Sequence, residues 1–194
     1  IEGSITAYAN AVYDDEFKVE MTQEDIRRIG GAKELIRQVT DWESDDPDAL
    51  KDTLIQRYFN RTTVKKWKIK EEWYFDKQRS VMDVRIIGLC PMQEVYDEIL
   101  EEYTGEFSPL FWVLFKEARP ILANAEIFNL MKNDAERRTY DDIFWKRMFS
   151  SYIIKESNVK DRKVNEYMIG LDAILTSEEI KAEIFNIEHD LWAY

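Results

Sequence analysis

The hydrophobic period of this chain changes once, and that change constrains the fold more than any single motif. Through the middle of the sequence the clear apolar runs repeat every second residue. Past about residue 130 they repeat every third or fourth. In Trp67, Ile69, Trp73 and Phe75 the odd positions are apolar, while Lys66, Lys68, Lys70, Glu72 and Asp76 hold the even ones. That spacing predicts a strand with one buried face and one charged outer face. Asp76 to Ser80 is a polar turn, and Val81 to Cys90 a second strand, with Met82, Val84 and Ile86 opposite Asp83 and Arg85. The two read as a hairpin that Pro91 ends. Leu110 to Phe115 (LFWVLF) is apolar on both faces, as a central strand would be, and Pro120 to Ala125 is expected as a fourth strand.

Beyond the switch, Thr139 caps a helix carrying Tyr140, Phe144, Met148 and Tyr152 at every fourth position, with Asp142 and Lys146 paired on its polar side. Thr176-Ser177-Glu178-Glu179 has the form of a capping box opening the last helix, striped by Ile180, Ile184, Ile187 and Leu191. The first sixty residues are less regular. Thr22 to Asp25 resembles a capping box ahead of Ile26, Ile29, Leu35 and Ile36, broken by Gly30-Gly31 into two short helices. Another helix is expected over Ala49 to Phe59, and a short helical stretch around Tyr96 to Leu100. Ahead of Ala49, Asp41 to Asp48 (DWESDDPD) is an acidic, turn-rich loop. The resulting expectation is an α+β fold, an antiparallel sheet of about four strands packed against N- and C-terminal helices. It forms a single domain over residues 1–194, with 1–60 irregular and helical, 61–128 mainly β and 129–194 mainly α.

At 194 residues the chain buries enough surface, roughly 70% of that of the unfolded chain, to hold together without disulfides or metals. The net charge of −12 repels phosphate backbones and anionic membranes. No apolar run approaches the roughly 18 residues of a membrane span. The chain starts at Ile1-Glu2-Gly3 and is read as a processed or trimmed form, so the missing signal peptide says nothing about location. Cys90 stands alone, which excludes an internal disulfide and every multi-cysteine zinc pattern; its apolar strand context predicts a buried, inert thiol.

Catalytic chemistry finds no foothold. His189 is the only histidine, and its neighbours Glu188 and Asp190 point about 100° away on a helix, so the three cannot converge on one ion. The acidic pairs Glu71-Glu72, Glu101-Glu102, Asp141-Asp142 and Glu178-Glu179 are expected by chance among 39 acidic residues and read as solvated faces. Phosphate-binding and dinucleotide fingerprints are missing. Arg61, Lys65, Lys66, Lys68 and Lys70 form one basic strip around Trp67, read as an outer strand face able to dock an acidic surface. Aromatics reach 13% of the chain (6 Trp, 10 Tyr, 10 Phe), enough for a core and for a binding surface besides. The interface candidates are Trp192 and Tyr194, just past the last helical stripe, and the Lys66/Lys68/Lys70 face.

Several long strings then resemble the GldN/PorN family of the type IX secretion and gliding machinery. They are Glu71 to Gly88 (EEWYFDKQRSVMDVRIIG), Ser108 to Pro120 (SPLFWVLFKEARP), Tyr140 to Asn158 (YDDIFWKRMFSSYIIKESN), Phe185 to Tyr194 (FNIEHDLWAY), and Glu2 to Tyr8 (EGSITAY) at the start. The likeness is dense from Lys70 onward and thin across Gly30 to Asn60. It implies a periplasmic protein, not itself membrane-spanning, that associates with the outer-membrane lipoprotein GldK/PorK in large rings and contacts the periplasmic part of GldM/PorM. It implies no catalytic, cofactor or metal residues. The alternative is a periplasmic module that binds or cleaves glycans with aromatic and carboxylate side chains.

Overall fold

The computed structural model describes residues 5–9, 15–29, 33–40, 50–57, 60–97, 102–127 and 137–190. In chain order the elements are β1 (Ala7–Tyr8), α1 (Gln23–Ile29), β2 (Lys33–Thr40), β3 (Leu50–Arg57), β4 (Val64–Asp76), β5 (Val81–Asp97), β6 (Glu102–Pro109), β7 (Trp112–Leu114), α2 (Phe115–Asn124), β8 (Glu126–Ile127), β9 (Arg138–Thr139), α3 (Tyr140–Trp145) and α4 (Leu171–Asp190). The class is α+β. The main sheet has five strands in the order β1-β7-β5-β4, with β6 also on β5. The chain divides into two compact units: Ile1–Glu71 with Ile86–Arg119, and Glu72–Arg85 with Pro120 onward.

In the first unit the core gathers around Cys90 and Trp112, closed by Tyr8 and Phe17. Phe17 meets Tyr8 and Trp112 edge-on, with ring centroids 5.6 and 5.7 Å apart. Its ring lies on the bare backbone of Gly88, where a Cβ would fall 2.4 Å from the ring. That explains a glycine inside a strand. β7 lies between β1 and β5, so the apolar run at Leu110 is indeed central to the sheet, but only Trp112–Leu114 is extended and Phe115 already begins a helix. Leu89 and Cys90, consecutive on β5, are 1% and 0% exposed, so both faces of that strand are covered there.

Several expectations fail. The fourth strand at Pro120 is helix α2, because Phe115 and Ala118 are buried and Leu122 half-buried at helical spacing, and that face outweighs the lost hydrogen bond at Pro120. β5 does not stop at Pro91. It changes partner there, from β7 at Gly88 and Leu89 to β6 from Met92 onward. The Pro91 carbonyl accepts from the Leu110 N–H at 3.0 Å, so the missing Pro91 N–H falls in the gap between partners, where it costs nothing to the ladder. β5 then runs through Tyr96 to Asp97, where a helical stretch was expected; residues 98–100 lie outside the described residues. The helix expected over Ala49 to Phe59, and the one after Gly31, are the paired strands β3 and β2, in a register that sets Leu35 opposite Ile55 and Ile36 opposite Leu54. Cross-strand pairing of apolar residues twenty positions apart is invisible to a local pattern. The acidic stretch Asp41 to Asp48 joins these two strands and lies outside the described residues.

The last two corrections concern the second unit. α3 opens as expected, with a capping box in which Asp142 N–H donates to Thr139 Oγ at 3.3 Å and Thr139 N–H to Asp142 Oδ2 at 3.1 Å. It ends at Trp145 rather than running to Tyr152. Arg147 takes the left-handed conformation (φ 52°), its N–H donating to Phe144 O at 3.2 Å and Met148 N–H to Ile143 O at 2.9 Å. That is a Schellman stop built on Arg instead of Gly. α4 starts five residues before Thr176, after Gly170 in the left-handed region (φ 63°). Thr176 therefore caps nothing: its hydroxyl donates back to Asp172 O at 2.9 Å, and the buried Ser177 Oγ accepts from Ile153 N–H at 2.8 Å.

Candidate functional site

The lysine row on β4 was expected to face solvent and the aromatic row to be buried. The structure does not divide the two rows this way. Trp67, Trp73 and Phe75 are 42%, 37% and 43% exposed, whereas Lys68 and Lys70 are half-buried. Lys70 Nζ donates to the Asp15 carbonyl at 2.6 Å, lies 3.6 Å from its carboxylate and 5.5 Å from the Phe17 ring. Lys66 is exposed, its Nζ 3.9 Å over the Phe107 ring. Alternation shows that two faces of a strand differ. It does not say which one a distant segment will cover, and residues 15–17 bring both an anion and an aromatic ring to the lysine side. Of the three lysines, Lys66 is the one presented outward, and Lys70 belongs to the fold. Trp192 and Tyr194 lie outside the described residues.

At the hairpin tip the polar groups hold one another. Arg79 bridges Asp76 and Asp83 at 2.8 and 2.9 Å, and Arg85 reaches Glu72 at 2.5 Å. The Arg79 hydrogen bond keeps the Asp76 carboxyl below its usual range; for Asp83 the Val84 N–H does most of this, with Arg79 second. Trp73 receives the Arg147 guanidinium 5.3 Å from its ring, and the same cation lies 5.4 Å from Phe149. The left-handed Arg147 that stops α3 thus places its own side chain between two aromatic rings. Trp145 and Tyr152 stand out to solvent at 68% and 70%.

The feature that sequence reasoning missed is the outer face of α4. Ser177 and Ile180 are buried and Ala173 and Ile184 half-buried, which defines its inner side. Leu171, Ile174, Leu175 and Phe185, on the opposite side of the helical wheel, are 69%, 61%, 52% and 64% exposed. Reading the helix from Thr176 hid this second stripe, because three of its four residues precede that position. Ile187, expected in the inner stripe, is 52% exposed, and Leu191 lies outside the described residues.

Chemical groups are few. Burial pushes the Cys90 thiol up to about 11, so it stays protonated, as the apolar strand context predicted. His189 is exposed at the end of α4, its ring 6.4 Å from that of Phe185. Among the described residues no three His, Cys, Asp or Glu side chains gather as metal ligands, and no helix is long and apolar enough to cross a membrane. One shallow cavity of about 370 Å³ is lined by Glu156, Asn158, Val159, Lys160, Arg162 and Tyr167.

No curated protein matches the chain. The family model of the gliding motility associated protein GldN matches residues 1–193, including the stretch from Gly30 to Asn60 where the resemblance is thin. With all but one residue covered, the chain belongs to the GldN family, components of the gliding motility and type IX secretion machinery.

Proposed function

We propose that this protein is a non-catalytic, periplasmic assembly subunit, acting as one domain over residues 1–194. In this reading it binds the outer-membrane lipoprotein GldK/PorK to build rings and contacts the periplasmic part of GldM/PorM. One observation carries the reading. Among the described residues twenty large hydrophobic side chains are exposed against ten hydrophobic residues buried. A monomer gains nothing from that imbalance, whereas a subunit completed by its partners does. Family membership supplies the machinery in which those partners are sought.

The test is co-purification of the full chain with the lipoprotein, followed by particle imaging. A stable complex that forms closed rings is the expected result; two proteins that elute apart at micromolar concentration would overturn the reading. Within such a complex, Trp192→Ala with Tyr194→Ala, and separately Lys66→Glu, probe the interface candidates. Unchanged affinity and salt dependence in folded protein removes that patch from the interface. The glycan alternative has less support: the cavity at Tyr167 holds a single carboxylate, Glu156, where cleavage needs a facing pair.

A further inference from the structure

We propose that the loop 155–163, with Tyr167, is a preformed docking site for an acidic, part-aliphatic segment of a partner protein. The inference rests on the assembly reading above and gives it a place on the molecule. Asn158 sets the loop's shape. Its Oδ1 accepts from the N–H groups of Lys160 and Arg162 at 3.2 and 3.0 Å, and its Nδ2 donates to the carbonyls of Glu156 and Arg162 at 3.2 and 2.8 Å. Asp161 is left-handed (φ 52°), its N–H donating to Asn158 O at 3.0 Å and its carboxylate 2.7 Å from Lys155 Nζ. Val164 N–H closes the base on Ile154 O at 3.0 Å. With its amide saturated, Asn158 has nothing left for a ligand; it builds the loop. The ordering cost therefore falls on folding and not on binding.

What the loop presents is chemically specific. Val159 is fully exposed at 105%, a position from which it contributes nothing to this fold. Lys160 and Arg162 follow it, both exposed, and the Arg162 guanidinium lies 5.6 Å from the Tyr167 ring. A guanidinium attracted to an aromatic ring spends no N–H donor on that contact, so its donors stay available to a carboxylate. These side chains line the 370 Å³ cavity together with Glu156 and Asn158. Residues 155–163 carry four cations (Lys155, Lys160, Arg162, Lys163) and two carboxylates (Glu156, Asp161), a local +2 in a chain of net −12. Complementarity then points to carboxylates on the partner, with an aliphatic side chain meeting Val159. The surrounding negative charge argues against nucleic acid and anionic lipid as occupants.

The experiment measures affinity of the purified full chain for the purified soluble part of the lipoprotein, at several salt concentrations. Lys160→Glu/Arg162→Glu is expected to weaken binding about thirtyfold and to flatten its salt dependence, and Val159→Asp about tenfold. Lys77→Glu/Lys116→Glu makes the same net charge change at exposed positions elsewhere and should alter affinity less than about threefold. All variants should melt with the parent, since the altered side chains are exposed. If the unaltered chain does not bind the lipoprotein, the assembly reading falls and this inference with it. If it binds and the loop variants match the control pair, the inference alone falls. Self-association lost on Lys160→Glu/Arg162→Glu, or binding to phosphatidylglycerol vesicles lost on the same change, would assign the loop to a second copy or a membrane and overturn it.

Discussion

The two compact units of this chain use their apolar residues in opposite ways. Among the described residues of the first, seven hydrophobic residues are buried (Ala7, Leu89, Cys90, Leu110, Trp112, Phe115, Ala118) against five large ones exposed. Among the described residues of the second, three are buried (Phe144, Val164, Ile180) against fifteen exposed. The first unit closes an aromatic core on a sheet. The second is held by directional bonds instead: a capping box, a Schellman stop, the Ser177 anchor for Ile153, the Asn158 loop. Its backbone is well specified while its hydrophobic surface is left open, and that is the arrangement a partner needs to find a fixed surface. The comparison puts the buried aromatic core in one unit and the larger open apolar surface in the other.

The sharpest way to break that division is to exchange the roles. Trp112→Ala removes a 5%-exposed indole between Phe17 and the Cys90 strand and should cost about 3–5 kcal/mol of stability. Phe185→Ala, on a side chain 64% exposed, should cost less than about 0.5 kcal/mol while weakening partner binding. Urea unfolding of both variants checks this. Cys90 gives a local readout: a thiol buried to 0% exposure and pushed up to about 11 should react with a maleimide far more slowly in the native protein than in Trp112→Ala. A Phe185→Ala protein that unfolds as easily as Trp112→Ala would dissolve the distinction.

The sequence was readable where local chemistry decides the outcome. The Thr139 capping box, the Lys77–Ser80 turn between two strands, and the buried Cys90 each depend on residues within a few positions of one another. It misled where a distant segment decides. Residues 15–17 reach Lys70 across some fifty-five positions and half-cover that lysine, while Trp67, Trp73 and Phe75 on the other face stay exposed. β2 and β3 become strands through each other, and α2 becomes a helix through Phe115 and Ala118, although Pro120 argues locally against it. The open face of α4 and the cation-bearing loop had signals, in apolar residues on both sides of one helix and a cluster of lysines in an acidic chain. Neither signal belongs to a recognised motif.

A smaller effect tests the claim that directional bonds hold the second unit. Thr139→Ala removes the cap of α3 and should cost about 1 kcal/mol. The Asp142 carboxyl is held below its ordinary value, first by the Thr139 N–H, then by the Thr139 hydroxyl. A depressed folded value means the contribution is present above the unfolded carboxylate range and is lost as pH falls through the folded one. Melting from pH 5 down to pH 3 should therefore lose part of its acid dependence in Asp142→Asn. An unchanged pH profile would place the stability of α3 elsewhere.

The smallest effect divides the lysine row itself, within the unit that holds the buried aromatic core. Lys70→Met breaks the 2.6 Å bond to the Asp15 carbonyl and removes the cation from Phe17, on a side chain 32% exposed. Partial exposure discounts the charge–charge part, leaving the hydrogen bond and a desolvated acceptor, about 1 kcal/mol together. Lys66→Met forfeits only an exposed contact over Phe107 and should cost about 0.5 kcal/mol, since Met still covers the ring. For partner binding the order reverses: Lys66 is the lysine of the row that can reach another molecule without disturbing residues 15–17. Chemical denaturation and affinity measured on the same two variants decide it. Equal stability losses would mean that the row acts as one solvated strip and that the Asp15–Phe17 cover contributes nothing to holding β4.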